Sequence, residues 1–102
     1  MGAQGFEVRI VGQTAAQAFR LAVDSARYEH GHGGYTGTIA EKHSFVVVSP
    51  PVTMPAARAL VRAMEDADDP RWSDKWGPAC CIPLVTDEGA PAGWLFFGIA
   101  SS

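Results

Sequence analysis

The segment Glu29-His30-Gly31-His32-Gly33-Gly34-Tyr35-Thr36-Gly37-Thr38-Ile39 does most to limit what this chain can become. Four of the eleven glycines lie between positions 31 and 37. Glycine that dense loses too much backbone freedom on folding to make the interior of a helix or a strand. The segment therefore divides the chain into an element that must end before it and elements that must start after it. It also gathers backbone amides, two imidazoles, a phenol and two threonine hydroxyls at one place, which is the inventory of a binding loop.

Before the loop, Phe6 to Val11 alternates, with Phe6, Val8 and Ile10 on one side and Glu7 and Arg9 on the other, as in a half-buried strand. Gly12-Gln13 turns the chain. Thr14 caps a helix with Gln17 three residues on, the spacing of a capping box. Ala15, Ala18, Phe19, Ala22, Val23 and Ala26 form its buried stripe, and it should end near Tyr28-Glu29-His30. After the loop, Thr36 to Ala40 and Ser44 to Ser49 read as two strands. The β-branched run Phe45-Val46-Val47-Val48 suggests a central strand covered on both faces.

Pro50-Pro51 ends that strand. Thr53 opens a second helix, which tolerates Pro55 in its first turn and buries Ala57, Leu60, Val61 and Met64. Glu65, Asp66, Asp68 and Asp69 read as a solvated helix end, stopped by Pro70. Arg71 to Pro78 reads as an irregular loop. Ala79 to Val85 is a strand whose Pro83 implies an edge or a bulge, and Trp94 to Ala100 is a last apolar strand. The expected fold is α+β, a two-layer sandwich of two helices on a mostly antiparallel sheet of about five strands, in the order β-α-β-β-α-β-β.

The 102 residues make one domain, spanning 1–102. A net charge of −3 and only eight scattered Lys and Arg argue against a nucleic-acid partner. No apolar run approaches the ~20 residues of a membrane span, and Met1-Gly2-Ala3-Gln4-Gly5 lacks the features of an export signal. Cys80 and Cys81 are neighbours in a strand and point to opposite faces, so they do not pair with each other. Free thiols and no export signal place the protein in the cytoplasm as an expectation.

His30, His32 and His43 could make an open zinc site, but H-x-H is a loose pattern and no H-E-x-x-H helix supports it. The glycine loop has no Lys and precedes strands, so it is neither a P-loop nor a dinucleotide fingerprint. A different nucleotide pocket stays open, in which Tyr35 stacks on a base and Thr36 and Thr38 bond phosphate or ribose, with Gly37 and His32 as further ligand-binding candidates. A nucleophile among Ser25, Ser44, Thr36, Thr38, Cys80 or Cys81 would need a base such as His43, and no G-x-S-x-G elbow is present. No motif calls for a cofactor. Trp72 and Trp76, preceded by Arg71 and Lys75, form either a lid folded on the core or a contact surface, because Trp and Arg are typical anchors.

Two segments together, Tyr35-Thr36-Gly37-Thr38-Ile39-Ala40-Glu41-Lys42 and Asp74-Lys75-Trp76-Gly77-Pro78-Ala79, resemble small uncharacterised proteins carried by bacteriophages and their bacterial relatives. The similarity covers positions 6 to 99. What the resemblance implies is an accessory factor that antagonises a host process, such as defence, by binding. The leading expectation is therefore a non-enzymatic protein that sequesters a small nucleotide-like ligand. Its pocket would combine the Tyr35 to Thr38 loop with Arg71, Trp72 and Trp76, at an interface between copies if it is a homo-oligomer. The alternatives are an interaction module that inhibits a host enzyme and a small hydrolase using histidine or metal.

Overall fold

The alternation at Phe6, Val8 and Ile10 does form a strand, and it starts earlier than expected. The computed structural model describes residues 2–102, so Met1, part of the segment read for an export signal, lies outside the described residues. The strands are β1 (Ala3–Ile10), β2 (Phe45–Val47), β3 (Ala79–Val85) and β4 (Pro91–Ser101). The helices are α1 (Ala15–His30), α2 (Met54–Asp66) and the one-turn α3 (Pro70–Ser73), and Ile39–Glu41 forms a 3-10 turn.

These elements make an α+β fold around one open, mixed sheet in the order β1-β4-β3-β2. β4 pairs antiparallel with both β1 and β3, while β2 pairs parallel with β3. Among the described residues the sheet thus has four strands rather than five. Thr36 to Ala40, expected as a strand, instead leads into the 3-10 turn, because Thr38 caps it with its hydroxyl on the Ala40 amide. Of the strand expected from Ser44 to Ser49 only Phe45–Val47 forms, and it is an edge strand and not a central one. Its β-branched residues suit a pleated surface but do not say how many neighbours the strand will have. The loop expected from Arg71 to Pro78 begins within α3.

The layers differ from expectation as well. Cys80, Ile82 and Leu84 of β3 and Leu95 and Phe97 of β4 pack with Ala57, Val61 and Met64 of α2. Cys81 and Phe96, one residue out of step, pack instead with Ala18, Ala22 and Val23 of α1 and with Ile39. Successive strand residues face opposite sides, so α1 and α2 cover opposite faces and the molecule has three layers. The two cysteines diverge as expected, both buried and free.

The connections account for this. β1, β2 and β3 run the same way, each antiparallel to β4 or parallel to β3. From β1 the chain crosses the whole sheet over α1 to reach β2, then returns over α2 to β3. The two crossovers move in opposite directions on opposite faces, so they share one hand, as the preference for right-handed crossovers requires of a pair.

Local signals held at both long helices. Thr14 Oγ1 accepts the Gln17 amide at 3.1 Å, and Gln17 Oε1 reaches back to the Gln13 amide at 2.7 Å. Pro55 sits in the first turn of α2, and Ala57, Val61 and Met64 are its buried residues. Pro83 lies inside β3, where its carbonyl accepts from Val52. The neighbouring chain is interrupted there by Ser49 to Pro51, so the missing proline N–H costs no ladder bond, and a register shift follows between Leu84 and Val85.

Candidate functional site

The glycine loop is shaped by its backbone. Gly31 (φ 84°) ends α1 by donating to the Arg27 carbonyl at 2.8 Å, and Gly34, Tyr35 and Gly37 also have positive φ. Gly37 is the constrained position. Its N–H donates to the Ser101 carbonyl, and a Cβ there would lie 2.7 Å from Gln4 Oε1. The loop is thereby pressed onto the ends of β1 and β4.

Thr36 and Thr38 brace the loop from within. Thr36 donates to Glu41 Oε2 through its hydroxyl at 2.8 Å and its amide at 3.2 Å. The 2.8 Å contact between the two threonine hydroxyls is then a bond donated by Thr38, because the Thr36 proton is already committed. Partial burial pushes the Glu41 carboxyl up, but the Thr36 hydroxyl and amide, the Tyr35 amide and the charge of Arg27 outweigh it and hold the group below its ordinary value. The hydroxyls expected to meet a ligand are occupied inside the loop. Tyr35 is exposed beside them.

The tryptophan segment is tied to this loop through Lys42. That side chain is only 2% exposed, and its Nζ donates to the carbonyls of Asp74, Lys75 and Gly77 at 3.2, 3.3 and 3.0 Å. Three ammonium protons meet three carbonyls. Burial lowers the Lys42 pKa, and the Asp74 charge counters part of that. Trp72 packs against the core on the α2 face, whereas Trp76 is 70% exposed with Lys75 Nζ lying 5.3 Å from its ring centre. One tryptophan is therefore an inner anchor and the other a surface group. Arg71 is engaged by Asp69, with Nε and Nη2 donating to the two carboxylate oxygens at 3.1 and 2.9 Å. The acidic run thus ends in a residue that caps α3 and holds Arg71.

The histidines are divided. His30 lines a groove beside β1, while His32 and His43 line a small cleft with Arg27, Gly34 and Glu41. Among the described residues no three His, Cys, Asp or Glu side chains converge as a metal site. Cys80 and Cys81 are sealed in the sheet, and burial pushes their thiols up to about 11 and about 12.

The small cleft continues, through Arg27 and His43, into a larger one of about 480 Å³ between α1 and the chain entering β2. Phe19, Val23 and Phe45 line its apolar part, and Phe19, Phe45 and Phe96 form a ring cluster with centres 5.3 to 5.7 Å apart. Arg20, Asp24 and Arg27 reach it from α1, and His43 and Ser44 from the opposite side. Neither arginine is held in an ion pair among the described residues. Arg20 and Arg27 escaped the sequence reading, although their seven-residue spacing puts them on one side of a helix, a signal that was available. Compared with protein families, curated proteins and solved structures, the chain matches none. No helix among the described residues is long and apolar enough to cross a membrane.

Proposed function

We propose that this protein binds, without transforming it, a small anionic, nucleotide-like ligand in the cleft between α1 and β2, in the manner of a phage-type factor that sequesters a signal molecule of its host. The observation that carries this reading is the pairing of Arg20 and Arg27 with the apolar patch of Phe19, Val23 and Phe45 in one cleft. Guanidinium groups suit phosphate, and an apolar floor suits a flat base. Asp24, His43 and Ser44 add hydrogen-bonding groups at the rim, and the His32 end offers an extension towards the glycine loop. The reading as a binder draws support from the buried, protonated thiols of Cys80 and Cys81 and the internally bonded hydroxyls of Thr36 and Thr38, which leave four of the candidate nucleophiles engaged or sealed, while Ser44 stands in the cleft as a hydrogen-bonding group. Thermal shift against linear and cyclic nucleotides tests it, with an Arg20→Ala/Arg27→Ala variant as control. Stabilisation of the native protein that the variant loses supports the site; no stabilisation by any nucleotide rejects it.

A second reading rests on Trp76, whose exposure beside Lys75 suits an anchor for a host protein. It requires that Trp76→Ala abolish capture of that protein while the fold persists.

A further inference from the structure

β1 is a long edge strand whose outer side is unpaired among the described residues. Gly2 and Ser102 exchange both their backbone hydrogen bonds, and the register runs unbroken from there to the Ile10–Trp94 pair. In an antiparallel ladder the bonded pairs alternate. The amides and carbonyls of Gln4, Phe6, Val8 and Ile10 therefore face β4, and those of Ala3, Gly5, Glu7 and Arg9 face outward. An eight-residue edge of this kind is a template for another strand.

We infer that this edge pairs with the same edge of a second copy, antiparallel about Val8, joining two sheets into one of eight strands. The segment Phe6-Glu7-Val8-Arg9-Ile10 reads apolar, acid, apolar, base, apolar, so it complements itself when reversed. Centred on Val8, Glu7 of each copy lies opposite Arg9 of the other, and both belong to the outward-bonding set. Phe6 meets Ile10 on the face covered by α1, and Val8 meets its own counterpart. Centring the pair on Glu7 or on Arg9 instead sets like charges against each other, which disfavours those registers.

The flank of the edge fits a second copy too. A groove of about 480 Å³ runs between β1 and α1, lined on the helix side by Ala22, Ser25, Ala26 and Glu29. These small residues allow close approach by a neighbouring helix. Val11, Leu21 and Tyr28 are large apolar residues left 74%, 46% and 92% exposed. Leu21 and Tyr28 lie one turn before and one turn after Ser25 along one stripe of α1, and Val11 directly continues β1. Pairing about Val8 places Val11 opposite Gly5 of the other copy and brings the two α1 helices side by side over the joined sheet.

Sedimentation equilibrium across micromolar to submillimolar concentrations tests this with three variants. The wild-type chain is expected at twice the mass of one chain. Glu7→Arg and Arg9→Glu, each folded by circular dichroism, are expected as monomers, because each sets like charges opposite. Mixing the two single variants restores a dimer, since every facing pair is then opposite in charge, and the double reversal Glu7→Arg/Arg9→Glu also dimerises. Amide exchange adds a readout independent of folding: Gly5, Glu7 and Arg9 exchange slowly when concentrated and rapidly when diluted. A wild-type monomer at every concentration, or a dimer untouched by either single reversal, overturns the inference. So does an edge that captures only an extended peptide of another protein.

Discussion

Lys42 Nζ donates to the Gly77 carbonyl at 3.0 Å and so joins two stretches of chain 35 residues apart. With its bonds to Asp74 and Lys75, this one side chain holds the segment after α3 against the end of the 3-10 turn. Lys42→Met keeps most of the apolar stem and leaves three carbonyls without their donor. The expected loss is about 1–3 kcal/mol of stability in urea denaturation. A change below about 0.5 kcal/mol, the range of an ordinary surface substitution, would show that water replaces the ammonium there at no cost.

Gly37→Ala is expected to destabilise by about 1–3 kcal/mol, because an L-residue is strained at positive φ and the new methyl would strike Gln4. Gly33→Ala is the control, since a Cβ at Gly33 meets nothing within 4 Å. Equal denaturation midpoints for the two variants would show that the loop can lift from β1 freely.

How much of this was legible beforehand differs from element to element. Thr14 with Gln17, the alanine stripe of α1 and the buried face of α2 are local signals, and they gave α1 and the start of α2 within a residue or two, whereas Pro70, expected to stop α2, opens α3 after α2 has already ended at Asp66. The strand neighbours were not local. Phe45 to Val48 looked central for its branching, yet the truly central strands carry Cys80-Cys81-Ile82 and Leu95-Phe96-Phe97, continuous apolar runs that serve both faces at once. An apolar stripe says that a helix needs a sheet, but not which face it takes, so two layers were expected where three exist. In the site, Thr36 and Thr38 were read as free hydroxyls because Glu41 offers no sequence hint of turning back on them. Their bonding appears only once the 3-10 turn is formed.

Trp72→Ala and Trp76→Ala should separate cleanly. Trp72 packs on the core and its truncation is expected to cost about 2–4 kcal/mol. Trp76 is mostly solvent-exposed, so Trp76→Ala should stay within about 0.5 kcal/mol of the wild-type stability. Trp76→Ala should also remove most of the acrylamide-quenchable fluorescence. Strong quenching that survives in this variant would place another tryptophan in solvent.

Glu41 gives an acid-side prediction. Its folded carboxyl is held low chiefly by Thr36, against the upward push of burial. Above its unfolded value of 4.5 the native state benefits from the ionised group, and this benefit is lost as pH falls through the lower folded value. Glu41→Gln should thus be less stable at neutral pH and converge with the wild type on acidification. Melting curves that stay parallel down to about pH 3 would exclude a coupled Glu41, since the wild-type carboxyl is by then largely protonated in the unfolded chain while the glutamine variant has no group there to titrate.

The thiols give the opposite, alkaline dependence. Burial raises Cys81 from 9.0 to about 12, with the nearby Cys80 adding to the effect. Above pH 9 the unfolded chain releases this proton while the native state keeps it, so stability is full below that value and falls as pH rises towards the folded one. Lys42 acts in the other direction, because burial lowers its folded pKa beneath 10.5, which makes Cys80, its electrostatic neighbour, a mixed reporter. Cys81 is the cleaner probe. Cys81→Ala should cost about 1 kcal/mol at neutral pH, on the order of one buried methylene. Each pH unit above the unfolded thiol value removes up to about 1.4 kcal/mol from the wild type and nothing from the variant at this position. The two stability curves should therefore cross at about pH 10, where the linkage loss equals the packing loss. Urea titrations from neutral to strongly alkaline pH measure this, with thiol labelling at neutral pH expected only after unfolding. Curves that never converge would mean that Cys81 ionises in the native sheet as readily as in the open chain.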